Sequence, residues 1–256
     1  MRWDLIAEAA PDLLKGTWVT LQLLLIPLAL ATALSIPLAI ARVSRLWWVR
    51  ALPAAFIFVF RGTPLLVQLF LIYYGLGQFE TLRDGFLWDN ILRHAYWCAM
   101  IAFTLNNTAY IAELMRGGIN AVPHGEVEAA RAYGMSGLQA YRHVILPRMW
   151  RIILPAYSNE VVFSLKATSL ASVITVLDLT GQAKVYYSMY YEPYDFFIAA
   201  GAIYLVLVFV VTRILRGVEW QLNRAFRPPK TVAVATAAAE APGPAPRAVA
   251  DGRTAA

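Results

Sequence analysis

Cysteine, histidine and charge are scarce in this sequence. Of its 256 residues, one is cysteine, three are histidine and 15% are charged. The single Cys98 lies inside an apolar run, which excludes a disulfide framework and a cysteine-based metal cluster. The histidines lie in loops or at the edges of apolar runs, without an H-E-x-x-H pattern or a serine and acid partner. We therefore predict a chain that is not an enzyme and binds no cofactor of its own.

A nucleotide-binding loop is also missing. The sequence has four lysines, and none of them ends a G-x-x-x-x-G-K-[ST] segment. If ATP drives this protein, the ATP-binding site must lie on another polypeptide. The first 16 residues contain acids and no cleavable apolar core, so they do not resemble a signal peptide.

What the sequence has in abundance is long apolar runs. Apolar residues make up 59% of the chain, and the mean hydropathy is +0.55. A soluble domain of this size could not hide that much apolar surface, so we predict that a bilayer is its solvent. Five runs are candidate membrane spans, at about residues 17–41, 52–79, 95–112, 152–176 and 196–212. The predicted fold is an all-α polytopic membrane protein with five transmembrane helices.

The distribution of basic residues predicts the orientation of these spans. Segments 42–50, 113–151 and 213–230 together hold 13 Lys and Arg, whereas segments 1–16, 80–94 and 177–195 hold 5. Loops rich in Lys and Arg stay on the cytoplasmic side. We therefore predict an extracytoplasmic N-terminal segment (1–16) and a cytoplasmic C-terminus. The Ala- and Pro-rich tail (228–256) has little to bury, and we predict that it is disordered.

A polar segment from residue 123 to 155 interrupts the apolar runs and reads as two short helices. Pro123 suits the first turn of a helix. Gly134 can adopt the left-handed conformation that commonly ends a helix. Ser136 with Gln139 three residues later is a capping-box pattern for a second helix. We predict that this second helix stops at Pro147.

The same segment resembles the EAA loop of ABC-importer permeases, whose pattern is E-A-A-x3-G-x9-I-x-L-P. The only departure from this pattern is Val144 in place of isoleucine. In that family the loop is cytoplasmic and docks into a cleft on the ATP-binding subunit. The resemblance thus implies that loop 123–147 couples to an ATPase, through the residues that match the motif: Glu128, Ala129, Ala130, Gly134, Leu146 and Pro147.

Further motifs are similar to those of polar amino-acid permeases. They lie in residues 61–64 (RGTP), 103–106 (FTLN), 155–160 (PAYSNE) and 166–170 (KATSL). The likeness spans about residues 14–227 and is strongest to permeases of histidine, lysine, arginine, ornithine and opine uptake systems. It implies a type I ABC-importer permease domain at residues 17–216.

Charged residues within the apolar runs are candidates for a substrate pathway. A charged side chain in a membrane span costs ~2.5–3.5 kcal/mol on insertion scales, so it usually faces a polar cavity. Glu160 could meet the cationic group of a basic amino acid. Lys166 and Arg61 could contact substrate or serve structural pairs, and Arg61 could also reach the interface. Asn106 and Asn107 fit a lining role and interhelical hydrogen bonding equally well.

Together, these features predict a permease in the bacterial inner membrane that imports polar, and in particular basic, amino acids by alternating access. The resemblance implies a second permease, identical or related, two ATPase subunits that bind ATP and Mg²⁺, and an extracytoplasmic substrate-binding protein. The alternative that remains open is a secondary transporter or channel without an ATPase.

Overall fold

The structure is a computed structural model that describes residues 2–224, and these residues form helices and turns without any β-strand. The predicted all-α class is therefore confirmed for this range. The α-helices are α1 (Trp3–Arg42), α2 (Trp47–Gly62), α3 (Leu65–Phe70), α4 (Glu80–Arg83), α5 (Ala95–Asn120), α6 (His124–Ala132), α7 (Gly137–Ala140), α8 (Leu146–Ala167), α9 (Leu179–Tyr190) and α10 (Pro193–Asn223). The predicted tail (228–256) lies outside the described residues.

Helix α1 joins the predicted N-terminal segment and the first apolar run. It has 40 residues, and at 1.5 Å per residue it is roughly 60 Å long, about twice the thickness of the hydrocarbon core. Its first turns pack against α9, where Tyr186 donates a hydrogen bond to Asp12 over 2.8 Å and Tyr190 donates one to Glu8 over 2.8 Å. The helix is therefore much longer than a single membrane span requires.

The second apolar run is broken, although its composition predicts one continuous span. Helix α2 and the helical segment Leu65–Gln78 meet at an angle of 104°. The break falls at Thr63 and Pro64. Pro64 has no N–H to donate, and Thr63 takes an extended conformation with ψ of 145°, as residues before proline prefer.

Helix α5 is the centre of the fold and packs against α1, α2 and α8. Four of its alanines are completely buried, which lets the neighbouring helices approach closely: Ala99, Ala102, Ala109 and Ala112. Gly118 serves the same purpose near the end of α5. A Cβ atom at this position would overlap Ile153 and lie 2.9 Å from Cγ of Met149, both on α8.

The chain remains helical from Gly137 to Ile174, so the prediction that a helix stops at Pro147 is wrong. A π-helical turn (Tyr141–Ile145) follows α7 and leads directly into α8. Pro147 is the second residue of α8 and follows the π turn directly, and the wider turn accommodates a residue that has no N–H to donate. A 3₁₀ segment (Thr168–Ile174) then extends α8 toward α9.

Two helices of the described chain are long and apolar enough to cross a membrane by themselves, Trp3–Arg42 and Pro193–Leu222. Two bent pairs meet the same condition together: Trp47–Gly62 with Leu65–Gln78, and Gly137–Ile174 with Leu179–Tyr190. The third predicted run lies on α5, which also carries Glu113 and Arg116. The count of five spans stays a prediction.

Candidate functional site

The polar loop between α5 and α8 begins with α6, which ends in a Schellman motif. Gly134 has φ of +77°, the left-handed conformation that its position predicts. Its N–H donates to the carbonyl of Arg131 over 2.9 Å, and the N–H of Met135 donates to the carbonyl of Ala130 over 3.1 Å. This pair of bonds fixes the direction in which the chain leaves α6.

The predicted capping box at the start of α7 is present. The N–H of Ser136 donates to Oε1 of Gln139 over 2.8 Å, and the N–H of Gln139 donates to Oγ of Ser136 over 3.4 Å. An ion pair of 3.3 Å between Glu126 and Arg148 connects α6 to α8. The loop is therefore an ordered helical hairpin with defined ends.

The loop presents a long exposed surface. Residues 131–139 are all exposed, and Tyr133 and Leu138 reach 87% and 81% exposure. Of the residues in the predicted coupling motif, Glu128 and Ala129 are exposed, whereas Ala130 is buried. Leu146 is half-buried, and Pro147 is exposed. Exposed apolar side chains at the tip of an ordered loop indicate a surface for a partner protein.

Two adjoining cavities of about 570 and 420 Å³ lie beside α5, and both are lined by Arg61, Tyr110 and Glu113. The guanidinium of Arg61 lies over the ring of Tyr110, 5.2 Å from its centroid. Glu160 lines the smaller cavity, opposite the end of α2. The structure thus brings together two of the predicted pathway residues, Arg61 and Glu160, which are 99 positions apart in the chain.

Glu113 was not among the residues singled out for the pathway, although it lines both cavities. It forms a 2.6 Å ion pair with Arg116 and a 3.8 Å ion pair with Arg42. Its Oε2 atom is buried without a hydrogen bond. The signal in the sequence was an acid one turn beyond Tyr110 at the end of an apolar run. The lining of these cavities therefore combines both signs of charge.

The two predicted asparagines make interhelical hydrogen bonds. Asn106 donates to Oε1 of Gln68 over 3.0 Å, and Asn107 accepts a bond from Ser164 over 2.9 Å. Both are buried and are absent from the lining of the two cavities beside α5. In this structure they connect α5 to α3 and to α8.

Lys166 lies apart from these cavities. It lines a separate cavity of about 470 Å³ between α8 and α10, together with Asn159, Arg216 and Glu219. Residues 160 and 166 are six positions apart, about 240° around a helix, so they face different sides of α8. Residues 2–224 contain no group of His, Cys, Asp and Glu side chains that could hold a metal ion.

The family comparison accounts for most of the chain. Residues 26–222 match the family described as binding-protein-dependent transport system inner membrane component. The chain belongs to this family. It is therefore a permease, a transport component of the membrane, and the loop between α5 and α8 lies inside the matched region.

Curated relatives of this permease cover most of its length. It is 52% identical over 211 residues to an octopine transport system permease of Rhizobium radiobacter, covering 82% of this chain and 85% of the relative. It is 45% identical to a nopaline transport system permease of Agrobacterium fabrum, covering 86% and 91%. The identity to a histidine/lysine/arginine/ornithine transport system permease of Salmonella typhimurium is 41%, with coverage of 80% and 87%.

Solved structures share the fold. A chain from the crystal structure of an amino acid ABC transporter with histidines superposes with a TM-score of 0.75 at 34% identity, covering 84% of this permease and 96% of that chain. A chain of the MetNI methionine ABC transporter in an inward-facing conformation gives a TM-score of 0.68 at 16% identity, covering 82% and 96%. The second likeness concerns the fold alone.

Proposed function

We propose that this permease forms the membrane pathway of an ATP-driven importer of basic amino acids or of opines derived from them. The curated relatives carry octopine, nopaline, histidine, lysine, arginine and ornithine in their names, and they cover most of the chain. The observation that carries the proposal is the placement of Arg61, Glu113 and Glu160 around adjoining cavities on this fold. A permease of this kind moves its substrate by alternating access.

In this proposal the permease domain (17–216) has five spans, including α5, in the bacterial inner membrane. The N-terminal segment (1–16) lies outside, and the tail (228–256) lies in the cytoplasm. The excess of Lys and Arg on one set of loops supports this orientation. Cysteines introduced at Asp84 and Glu192 should react with an impermeant thiol reagent in intact cells. A cysteine at Gly137 should react only after the membrane is opened.

The loop 123–147 docks into the ATP-binding subunit, which holds ATP and Mg²⁺. Tyr133 and Leu138 supply the exposed apolar contacts, and the Schellman motif at Gly134 together with the capping box sets their direction. A second permease, identical or related, completes the pathway. A substrate-binding protein delivers the amino acid from the outside.

Different residues of the cavity bind the two oppositely charged groups of the substrate. Arg61 attracts the carboxylate of an amino acid, and Glu160 attracts its cationic side chain. Glu113 already pairs with Arg116 and Arg42, so it balances the arginines at the mouth of the cavity. Lys166 faces another cavity, and we assign it to contacts with α10 or with the second permease. Asn107 supports the pathway by joining α5 to α8.

Co-purification tests the proposed assembly. The permease should be expressed with its candidate ATPase and isolated in mild detergent through a tag on the permease alone. The proposal expects a stable complex that contains the ATPase, and a paired change of Tyr133→Ser and Leu138→Ser should release it. A pair of changes away from the loop, at Phe86 and Leu87, which are also exposed, serves as the control. An ATPase retained equally by both paired variants would contradict the assigned docking surface.

A further inference from the structure

The break between α2 and α3 leaves backbone carbonyls without their usual donors. In a continuous helix the carbonyl of Phe60 would accept from the N–H of residue 64, but residue 64 is proline and has none. Beyond the break, Val67 and Gln68 donate their N–H groups to the carbonyl of Pro64, so neither reaches the carbonyl of Thr63. Unpaired carbonyls are costly in the hydrocarbon region of a membrane.

Gln68 supplies most of the missing donors, and Nδ2 of Asn106 adds a longer contact of 3.5 Å to the carbonyl of Phe60. Nε2 of Gln68 donates to the carbonyl of Phe60 over 2.8 Å and to the carbonyl of Thr63 over 3.1 Å, and it lies 2.8 Å from Oγ1 of Thr63. Oγ1 of Thr63 in turn donates to the carbonyl of Val59 over 2.8 Å. Gln68 is 5% exposed. Its amide therefore joins the two sides of the broken helix.

A second amide fixes the orientation of the first. Nδ2 of Asn106 donates to Oε1 of Gln68 over 3.0 Å, which leaves Nε2 of Gln68 free to face the break. Asn106 lies on α5, and Tyr110, the ring beneath Arg61, lies one turn further along the same helix. The last turn of α2 is thus held to α5 both by these hydrogen bonds and by the contact of Arg61 with the ring of Tyr110.

We infer that Gln68 and Asn106 are positioning residues that hold the broken end of α2 so that Arg61 faces the cavity. The inference rests on the proposed function, because it assigns Arg61 to the carboxylate of the substrate. Neither amide touches the cavity, so both act on the substrate through Arg61. Glutamine is suited to the position because its side chain both donates to the break and accepts from Asn106.

Equilibrium binding of ¹⁴C-labelled arginine to the detergent-solubilised permease–ATPase complex, without the binding protein, tests the inference. Gln68→Glu keeps the size of the side chain and removes its N–H donors. The Kd of the variant complex for arginine should rise about tenfold, which corresponds to about 1.4 kcal/mol. The basal ATPase rate should stay unchanged. In an Arg61→Ala background the same change should have no further effect on Kd, because residues that act as one unit are not additive.

Asn106→Asp perturbs the network without changing Gln68. The carboxylate introduced at position 106 attracts the amide nitrogen of Gln68, so the side-chain amide of Gln68 rotates by half a turn. Its oxygen then faces the carbonyl of Phe60. The effect on Kd should again disappear in the Arg61→Ala background. Gln22→Glu is the control, since Gln22 accepts a 3.2 Å hydrogen bond from Tyr96 away from the break, and glutamate can still accept it.

Three results would overturn the inference, and they are distinguishable. If Gln68→Glu raises Kd by the same factor with and without Arg61, the amide does not act through Arg61. If neither Gln68→Glu nor Asn106→Asp yields an assembled complex, the network serves folding rather than positioning. If Arg61→Ala alone binds arginine like the wild type, the proposed role of the cavity fails, and the inference fails with it.

Discussion

Replacement of Gly134 tests the coupling loop most sharply, because the structure isolates the cost to the backbone. Gly134 has φ of +77°, and a Cβ atom added there would meet nothing within 4 Å. An L-residue in the left-handed conformation costs roughly 1–2 kcal/mol, and a β-branched residue lies at or above the upper end of this range. A cost of about 2 kcal/mol lowers the equilibrium constant for forming the correct turn roughly 30-fold.

A graded series separates this backbone effect from other causes. Gly134→Asn should be mildest, because asparagine tolerates the left-handed region, followed by Gly134→Ala and then Gly134→Val. The assay is the ATPase activity of the reconstituted complex, measured with and without loaded binding protein. Stimulation should fall in that order, whereas the amount of permease in the membrane should not change.

Gly137→Ala is the matched control. Gly137 is three residues away and begins α7 without a positive φ, and a Cβ atom added to it would also meet nothing within 4 Å. This variant should keep its stimulated ATPase activity, since alanine favours the helix. Wild-type stimulation in Gly134→Val would refute the assignment of the Schellman motif to the docking turn.

Three further substitutions test the cavity, the packing between α5 and α8, and the hydrogen bond between α9 and α1. Glu160→Gln should reduce arginine uptake by the equivalent of about 2–5 kcal/mol while leaving assembly intact, and equal losses for arginine and glutamine would indicate a structural role. Gly118→Leu should destabilise the permease in a thermal-shift assay by about 1–3 kcal/mol through overpacking between α5 and α8, whereas Gly117→Leu, which meets open space, should not. Hydrogen bonds from Lys15 and Tyr186 lower the pKa of Asp12, and the bond to Asp12 raises the pKa of Tyr186 to about 12. The hydrogen bond from Tyr186 to Asp12 therefore stabilises the fold below pH 10, and this stabilisation is lost as the pH rises toward 12. The stabilisation that depends on the ionised carboxylate of Asp12 is lost as the pH falls below about 4. Tyr186→Phe should remove the alkaline part of this dependence from the thermal midpoint, and an unchanged profile would contradict it.

Local signals in the sequence were sufficient for the polar loop. The pairing of Ser136 with Gln139 and the left-handed turn at Gly134 depend on residues a few positions apart, so the spacing alone predicts them. The end of the second helix could not be read in the same way. Pro147 normally ends a helix, but the π turn before it keeps the chain helical, and nothing local announces that turn.

The cavity depends on contacts that are distant in the chain. Pro27 and Pro37 remain inside α1, whereas Pro64 breaks the second run. At this break the amide of Gln68 meets the free carbonyl of Phe60, and Asn106, 38 positions away, donates to the same amide. The sequence marked Asn106 as polar in an apolar run but could not reveal its partner, so a lining role and a structural role were equally compatible with it.

Uptake into proteoliposomes is the most direct test of ATP-driven import by this permease. The permease, its ATPase and its second permease are reconstituted, ATP and Mg²⁺ are enclosed on the ATPase side, and labelled arginine or octopine is supplied with the binding protein on the other side. ATP-driven import predicts accumulation that requires ATP and the binding protein and that disappears when the hydrolysis of ATP is blocked. Accumulation at the same rate without ATP would contradict it and would make the protein a secondary transporter or channel.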